Sequence, residues 1–186
     1  MTQSVELLLD PASEAAVRQE WLALHQAGLP SEVRPGPDDS HRPHITLFAA
    51  AEITPAADQA LPALVADLHL SLQLGALMLF GPHRDRFVLV HAVVPSNDLL
   101  ELQRVVGRTC GADRDSYFAP GRWAPHVTVA RRVTAAELPA ALSALAPVGA
   151  ADQPMRITQC RRWDGVARRS WLLTSLSESY IGDTDG

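Results

Sequence analysis

Two short stretches of the chain share one alternation of polar and apolar positions. Pro43-His44-Ile45-Thr46-Leu47 and Pro125-His126-Val127-Thr128-Val129 each read proline, histidine, β-branched apolar, threonine, aliphatic. Side chains alternate faces along a strand, so each stretch turns its histidine and threonine to one side and its aliphatic pair to the other. Proline suits a strand's first residue, and β-branched side chains favour the pleated backbone. Burial is expected for the aliphatic pair and a polar surrounding for the His/Thr pair. The copies lie 82 residues apart (126 − 44). That spacing suggests a duplicated architecture, in which a pseudo-twofold axis would bring both His/Thr pairs to one groove.

The rest of the chain supplies elements around these strands. Val5-Glu6-Leu7-Leu8-Leu9 reads as an opening strand ended by Asp10-Pro11. Ser13 is expected to cap a helix with Val17, Trp21, Leu22 and Leu24 as its apolar stripe, stopping near Gly28-Leu29-Pro30. Residues 30–43, rich in Pro, Gly and Asp, form a loop into the first motif. Thr54 and Pro55 open a second helix towards Leu68, and Pro62 inside it predicts a kink or break. Ser71 to Phe80 and Arg86 to Val94 read as strands, with turn signals at Gly81-Pro82 and a bulge between Gly75 and Pro82. A third helix is expected over 97–110, then a polar loop over 111–124 leading into the second motif. Thr134, with Glu137 three residues on, predicts a fourth helix over 135–146. Strands over 154–163 and 169–177 follow, joined at Asp164-Gly165. A flexible tail is expected over 181–186.

This order reads as an α+β fold of two related lobes. One domain is expected over 1–186, with pseudo-symmetric halves at about 1–82 and 83–180.

Composition narrows the function. The chain has 186 residues, 47% of them apolar, and a net charge of −5. That charge argues against a general nucleic-acid coating protein. The average hides an asymmetry: residues 1–100 carry 12 acids and 5 arginines, whereas 101–186 carry 9 acids and 11 arginines. The second half is the expected anion-facing side. Cys110 and Cys160 are too few and too far apart for a zinc site and read as free thiols in a reducing cytosol. The residues from Met1 to Asp10 lack the basic start of a signal peptide, and no apolar run approaches a bilayer span. A cytoplasmic monomer without membrane contact, metal or cofactor is expected.

Two histidines flanking one phosphodiester can act as general base and general acid, because imidazole titrates near pH ~6.5. Threonine hydroxyls, or backbone amides beside them, can donate to the non-bridging phosphate oxygens, which gain charge in the transition state.

On His44-Ile45-Thr46-Leu47 and Pro125-His126-Val127-Thr128-Val129-Ala130-Arg131, together with the order of elements, the chain resembles the 2H phosphoesterase superfamily, in particular its 2′-5′ RNA ligase-like branch. The resemblance implies two antiparallel sheets with outer helices around a central cleft lined by both motifs. It implies metal-independent action on 2′,3′-cyclic phosphates or 2′-5′ linkages, on an RNA end or a small nucleotide. By analogy His126 would be the base and His44 the acid, and Arg131 matches a position often basic near the phosphate. The run Phe48-Ala49-Ala50-Ala51 departs from the best-known bacterial members, which weakens the ligase expectation relative to the phosphodiesterase one. The rival reading is a non-catalytic nucleotide or RNA-end binding module on the same fold.

The remaining candidates each have a plainer alternative. Arg131 should point away from Thr128 on a regular strand and needs a twist or a bulge to reach the cleft; Arg132 shares Thr128's parity and is the alternate. Trp123 and Phe48 could stack on a base or belong to the core. His41 lies in the loop feeding the first motif. Arg161-Arg162 and Arg168-Arg169 flank the last turn, either solvated or against RNA backbone.

Overall fold

In chain order the elements are β1 (Gln3–Leu8), α1 (Pro11–Gln26), β2 (His44–Ala50), α2 (Pro55–Leu64), β3 (Leu70–His83), β4 (Arg86–Val93), α3 (Asn97–Thr109), β5 (His126–Val133), α4 (Leu138–Leu145), β6 (Pro154–Ile157), β7 (Gln159–Asp164) and β8 (Arg169–Leu172). This computed structural model describes residues 2–34 and 41–174. The middle of the 30–43 loop, the end of the strand expected to reach 177 and the 181–186 tail lie outside the described residues.

Local chemistry sets the helix ends. Asp10, not Ser13, caps α1: its carboxylate accepts from the backbone N–H of Ala12 and Ser13 at 3.0 and 3.1 Å, and Pro11 takes the first helical position. The Ser13 hydroxyl donates to the same carboxylate at 2.8 Å. α2 starts on Thr54 and Pro55 as expected but ends at Leu64, two residues past Pro62, which supplies no N–H to the ladder. α4 begins at Leu138, because the amide and hydroxyl of Thr134 both donate to the Glu137 carboxylate and fold 134–137 into a turn ahead of the helix.

The strands form one eight-stranded sheet in the order β6-β3-β4-β5-β2-β1-β7-β8, with antiparallel pairs. The two expected sheets are thus joined, though thinly: β2 and β5 share a single paired position, Ile45 with Val127. The two motif strands are neighbours at the centre. Each half of the sheet draws on distant parts of the chain, β1 and β2 with β7 and β8 on one side, β3 to β6 on the other. The expected boundary at 82/83 therefore does not divide the sheet, and it falls inside β3. The reason is a crossover. Residues 154–163 are two strands, β6 pairing with β3 and β7 pairing with β1.

β3 runs through Gly81 and Pro82 rather than turning there. Its hairpin with β4 turns at Arg84-Asp85, both at positive φ (49° and 59°), the twist that suits a two-residue connection. The bulge expected between Gly75 and Pro82 is present as register shifts after Leu74 and after Phe80.

The helices cover the face opposite the His/Thr side chains. Ile45, Leu47 and Val127 are fully buried there with Val5, Leu7, Val17, Leu99 and Val106. A second cluster packs Leu24 of α1 and Leu145 of α4 against Leu89, Val129 and Val133. Burying such side chains stabilises the fold by about 1.5–3 kcal/mol each.

Candidate active site

The two motif histidines are held in the same way. Nδ1 of His44 lies 2.7 Å from the carbonyl oxygen of Arg42, and Nδ1 of His126 lies 2.8 Å from that of Ala124. Each carbonyl belongs to the residue before the motif proline, where proline restricts the backbone to extended geometry. A carbonyl can only accept, so Nδ1 carries the proton in both rings. Nε2 is then a bare lone pair when the ring is neutral and a donor when it is charged.

Register around Ile45–Val127 sets His44 across from Thr128 and Thr46 across from His126, all four half-buried on one face. His44 and Thr46 line a cleft of about 560 Å³. Thr128 and His44 line a small recess beside it. His126 lies close enough to feel the charges of His44 and Arg131, and the Phe80 ring meets its imidazole edge-on at 4.7 Å.

Both motif strands bulge at the same point. On β2 the register passes from Thr46 opposite Glu6 to Phe48 opposite Val5; on β5 it passes from Thr128 opposite Val90 to Ala130 opposite Leu89. The extra residue, Leu47 or Val129, puts two consecutive side chains into the core and reverses parity beyond it. Arg131 thereby reaches the cleft, and its counterpart on β2 is Ala49. Arg132 is exposed with φ 67°, in a second bulge, and is not among the cleft residues. Phe48 is 3% exposed and packs on Phe118, so neither face of its ring is open to a base.

Two tryptophans brace the motifs crosswise. The Trp123 indole donates to the carbonyl of Thr46, and the Trp21 indole to that of Thr128, both at 3.0 Å. Trp123 is therefore a backbone brace, packed on the core. His41 stacks on Trp21 at 5.1 Å, places Nε2 2.9 Å from the Glu32 carbonyl and lines the cleft.

Two buried carboxylates flank the groove. Glu6 accepts from Ser4 at 2.6 Å and from Arg161 at 2.8 Å, with Nε2 of His44 3.6 Å away. Burial pushes the Glu6 carboxyl up, but the charges of His44 and Arg161 and the Ser4 hydroxyl outweigh it, and the group titrates below its ordinary range. Glu32 is likewise pushed up by burial and brought down further by His41 and Arg131, whose guanidinium is 3.3 Å away. For His126, burial drives the imidazole below its ordinary value of 6.5; the Ala124 carbonyl opposes this, and the charges of His44 and Arg131 add to it.

Sequence patterning does not single out Glu6, Glu32, Trp21 or Phe80 as site residues. One local signal exists: Ser4 and Glu6 alternate with Val5 and Leu7, the same period-two pattern that marks the motifs. Arg161 and Arg168, open between solvent and RNA backbone in the sequence, line the cleft. Arg162 turns the other way, 1% exposed, and pairs with Asp58 at 2.6 Å. Among the described residues no three His, Cys, Asp or Glu side chains gather to hold a metal, and no helix is long and apolar enough to cross a membrane.

Comparison with solved structures places this architecture among known ones. Kluyveromyces marxianus Usb1 superposes with a TM-score of 0.57 at 11% identity, over 92% of this chain and 97% of that one. The same protein with uridine monophosphate gives 0.55 at 12% identity, over 92% and 97%. TT0787 of Thermus thermophilus gives 0.51 at 17% identity, over 93% and 95%. At these identities the likeness is one of fold. A search of curated proteins finds no match. The family model of the 2′-5′ RNA ligase superfamily matches residues 11–164, which include both His-x-Thr strands and every helix. With that match and the fold of the 2H phosphoesterases, the chain belongs to the 2′-5′ RNA ligase superfamily.

Proposed function

We propose that the cleft opens 2′,3′-cyclic phosphates at the end of an RNA or on a nucleotide, with His126 as general base and His44 as general acid. The observation that carries this reading is the matched pair of Nδ1–carbonyl bonds. They leave both Nε2 atoms for proton transfer in opposite directions, His44 from the cleft wall and His126 from the position opposite Thr46, beside the cleft-lining residues rather than among them.

The electrostatics favour the division of labour. His126, desolvated and beside two cations, is the ring that stays neutral and can take a proton. Nε2 of His44, the atom that would donate the proton, lies 3.6 Å from the Glu6 carboxylate. In the reaction Nε2 of His126 removes a proton from water as the water oxygen attacks phosphorus. The bond to one ribose oxygen breaks, and Nε2–H of His44 protonates that oxygen. The product is a phosphomonoester beside a free hydroxyl. Thr46, Thr128 and Arg131 bind the non-bridging oxygens, where charge accumulates. An RNA 5′-hydroxyl in place of water makes a 2′-5′ bond through the same geometry, so ligation is the related activity.

The test is turnover of 2′,3′-cyclic AMP and of a short RNA ending in a 2′,3′-cyclic phosphate, with EDTA present. His44→Ala and His126→Ala, checked for folding, are each expected to lower the rate by about 10²–10⁴-fold. Full activity in either variant would overturn the mechanism. Nucleotide binding without turnover in the wild type would favour a binding module.

A further inference from the structure

The cleft extends well beyond the motifs over one half of the sheet: apart from Arg131, its strand residues come from β1, β2 and β7. Register across the first half of the sheet sets Thr46 beside Glu6 beside Arg161, and Ala49 beside Ser4 beside Trp163. The corresponding rows of the second half set Thr128 beside Val90 beside Met78, and Arg131 beside Val88 beside Phe80. Beyond the motif strands the second half carries only Val90, Met78, Val88 and Phe80, whereas the first carries the Glu6–Arg161 pair, Ser4 and a half-buried Trp163, with Arg168 at its end.

From this asymmetry we infer that the arm formed by Trp163, Arg161 and Arg168 is a second-nucleotide subsite, taking the base and phosphate next to the reacting phosphate. It rests on the cyclic-phosphate reading for the position of the reacting group. Two steps between strands separate β2 from β7, about 10 Å, so the arm lies beyond the reach of one phosphate bound at the motifs. Trp163 lines the cleft and offers an aromatic surface that suits any base. Arg161 is already held by Glu6, which fixes its guanidinium at the arm's inner end. Arg168, exposed in the turn with φ 53°, supplies the outer cation. The turn is anchored: the Gly165 N–H donates to the Thr2 carbonyl at 3.1 Å, and a Cβ at Gly165 would clash with that oxygen. The substrate class this arm selects is an oligonucleotide end rather than a mononucleotide.

The test is binding, which needs no turnover. Affinities of the wild type for a mononucleoside 3′-phosphate and for a dinucleotide carrying the same 3′-terminal phosphate are compared by calorimetry. The dinucleotide is expected to bind about tenfold or more tightly, as one stacked base allows. In Trp163→Ala, and separately in the exposed-site variant Arg168→Gln, that ratio is expected to fall towards one, with a weaker salt dependence in the latter. Equal wild-type affinities, or a ratio unchanged in both variants, would overturn the subsite. A ratio that behaves as expected in a protein without turnover would keep the subsite and sink the catalytic reading.

Discussion

The indole N–H of Trp123 donates to the backbone carbonyl of Thr46, 77 positions away, at 3.0 Å. Trp21 does the same for Thr128 from the other side. Each motif strand is thus held by an element that precedes the other motif, across a seam where the strands share one paired position. Trp123→Phe keeps the packing ring and removes the donor. It is expected to cost about 1–3 kcal/mol, the range for an unsatisfied buried acceptor, read by urea denaturation. Catalytic loss beyond that expected from the unfolded fraction would place the brace in the positioning of the first motif.

With His126 as the proposed base, its pKa, lowered chiefly by burial, is expected to set the acid limb of the pH profile. A base must be neutral, so kcat/KM is expected to hold as pH falls through 6.5 and to drop only below it. Arg131→Ala removes one of the cations that lower this pKa, and the limb should move towards higher pH. NMR titration of the His126 ring checks the shift without reference to rate.

Neighbouring arginines should separate cleanly. Arg131 reaches the cleft, whereas Arg132 sits in a bulge at positive φ with its side chain exposed. Arg131→Ala is expected to lower kcat/KM by about 10–100-fold through lost charge stabilisation. Arg132→Asn, a residue that tolerates the left-handed backbone, should change it less than about twofold. Equal effects at the two positions would contradict the bulge.

His91 and Glu20 form a buried pair unrelated to the cleft. Nε2 of His91 lies 2.9 Å from the Glu20 carboxylate, Nδ1 lies 3.0 Å from the Gly75 carbonyl, and neither residue is exposed. Both partners accept, so both ring nitrogens carry protons. Burial pulls the His91 pKa down, but Glu20 and the Gly75 carbonyl prevail, and the net shift is upward. The stability this gives is complete below the unfolded value near 6.5 and is lost as pH rises through the higher folded pKa. Denaturation across neutral and alkaline pH should show that decline. Glu20→Gln should remove the dependence while destabilising the fold by about 3–5 kcal/mol.

The Gly81-Pro82 signal shows where local reading reaches its limit. Such a dipeptide normally marks a turn, yet β3 continues through it to His83 because pairing with β4 extends that far. Asp10 shows the reverse: its capping role was open to local reading, since Pro11 beside it suits a first helical position, but Ser13 competed for the same part.

By itself the sequence determined the two His/Thr strands, their buried aliphatic faces, four helices near their observed places and the α+β class. These depend on periods of two and 3.6 residues and on caps, all set within a few positions of the chain. Only the tertiary structure decided which polar groups surround the histidines. Glu6 and Arg161 meet across 155 positions because β7 returns to pair with β1, and Trp21 reaches Thr128 across 107. The bulges that bring Arg131 into the cleft and bury Phe48 arise from register between paired strands, and no single strand encodes its partner's register.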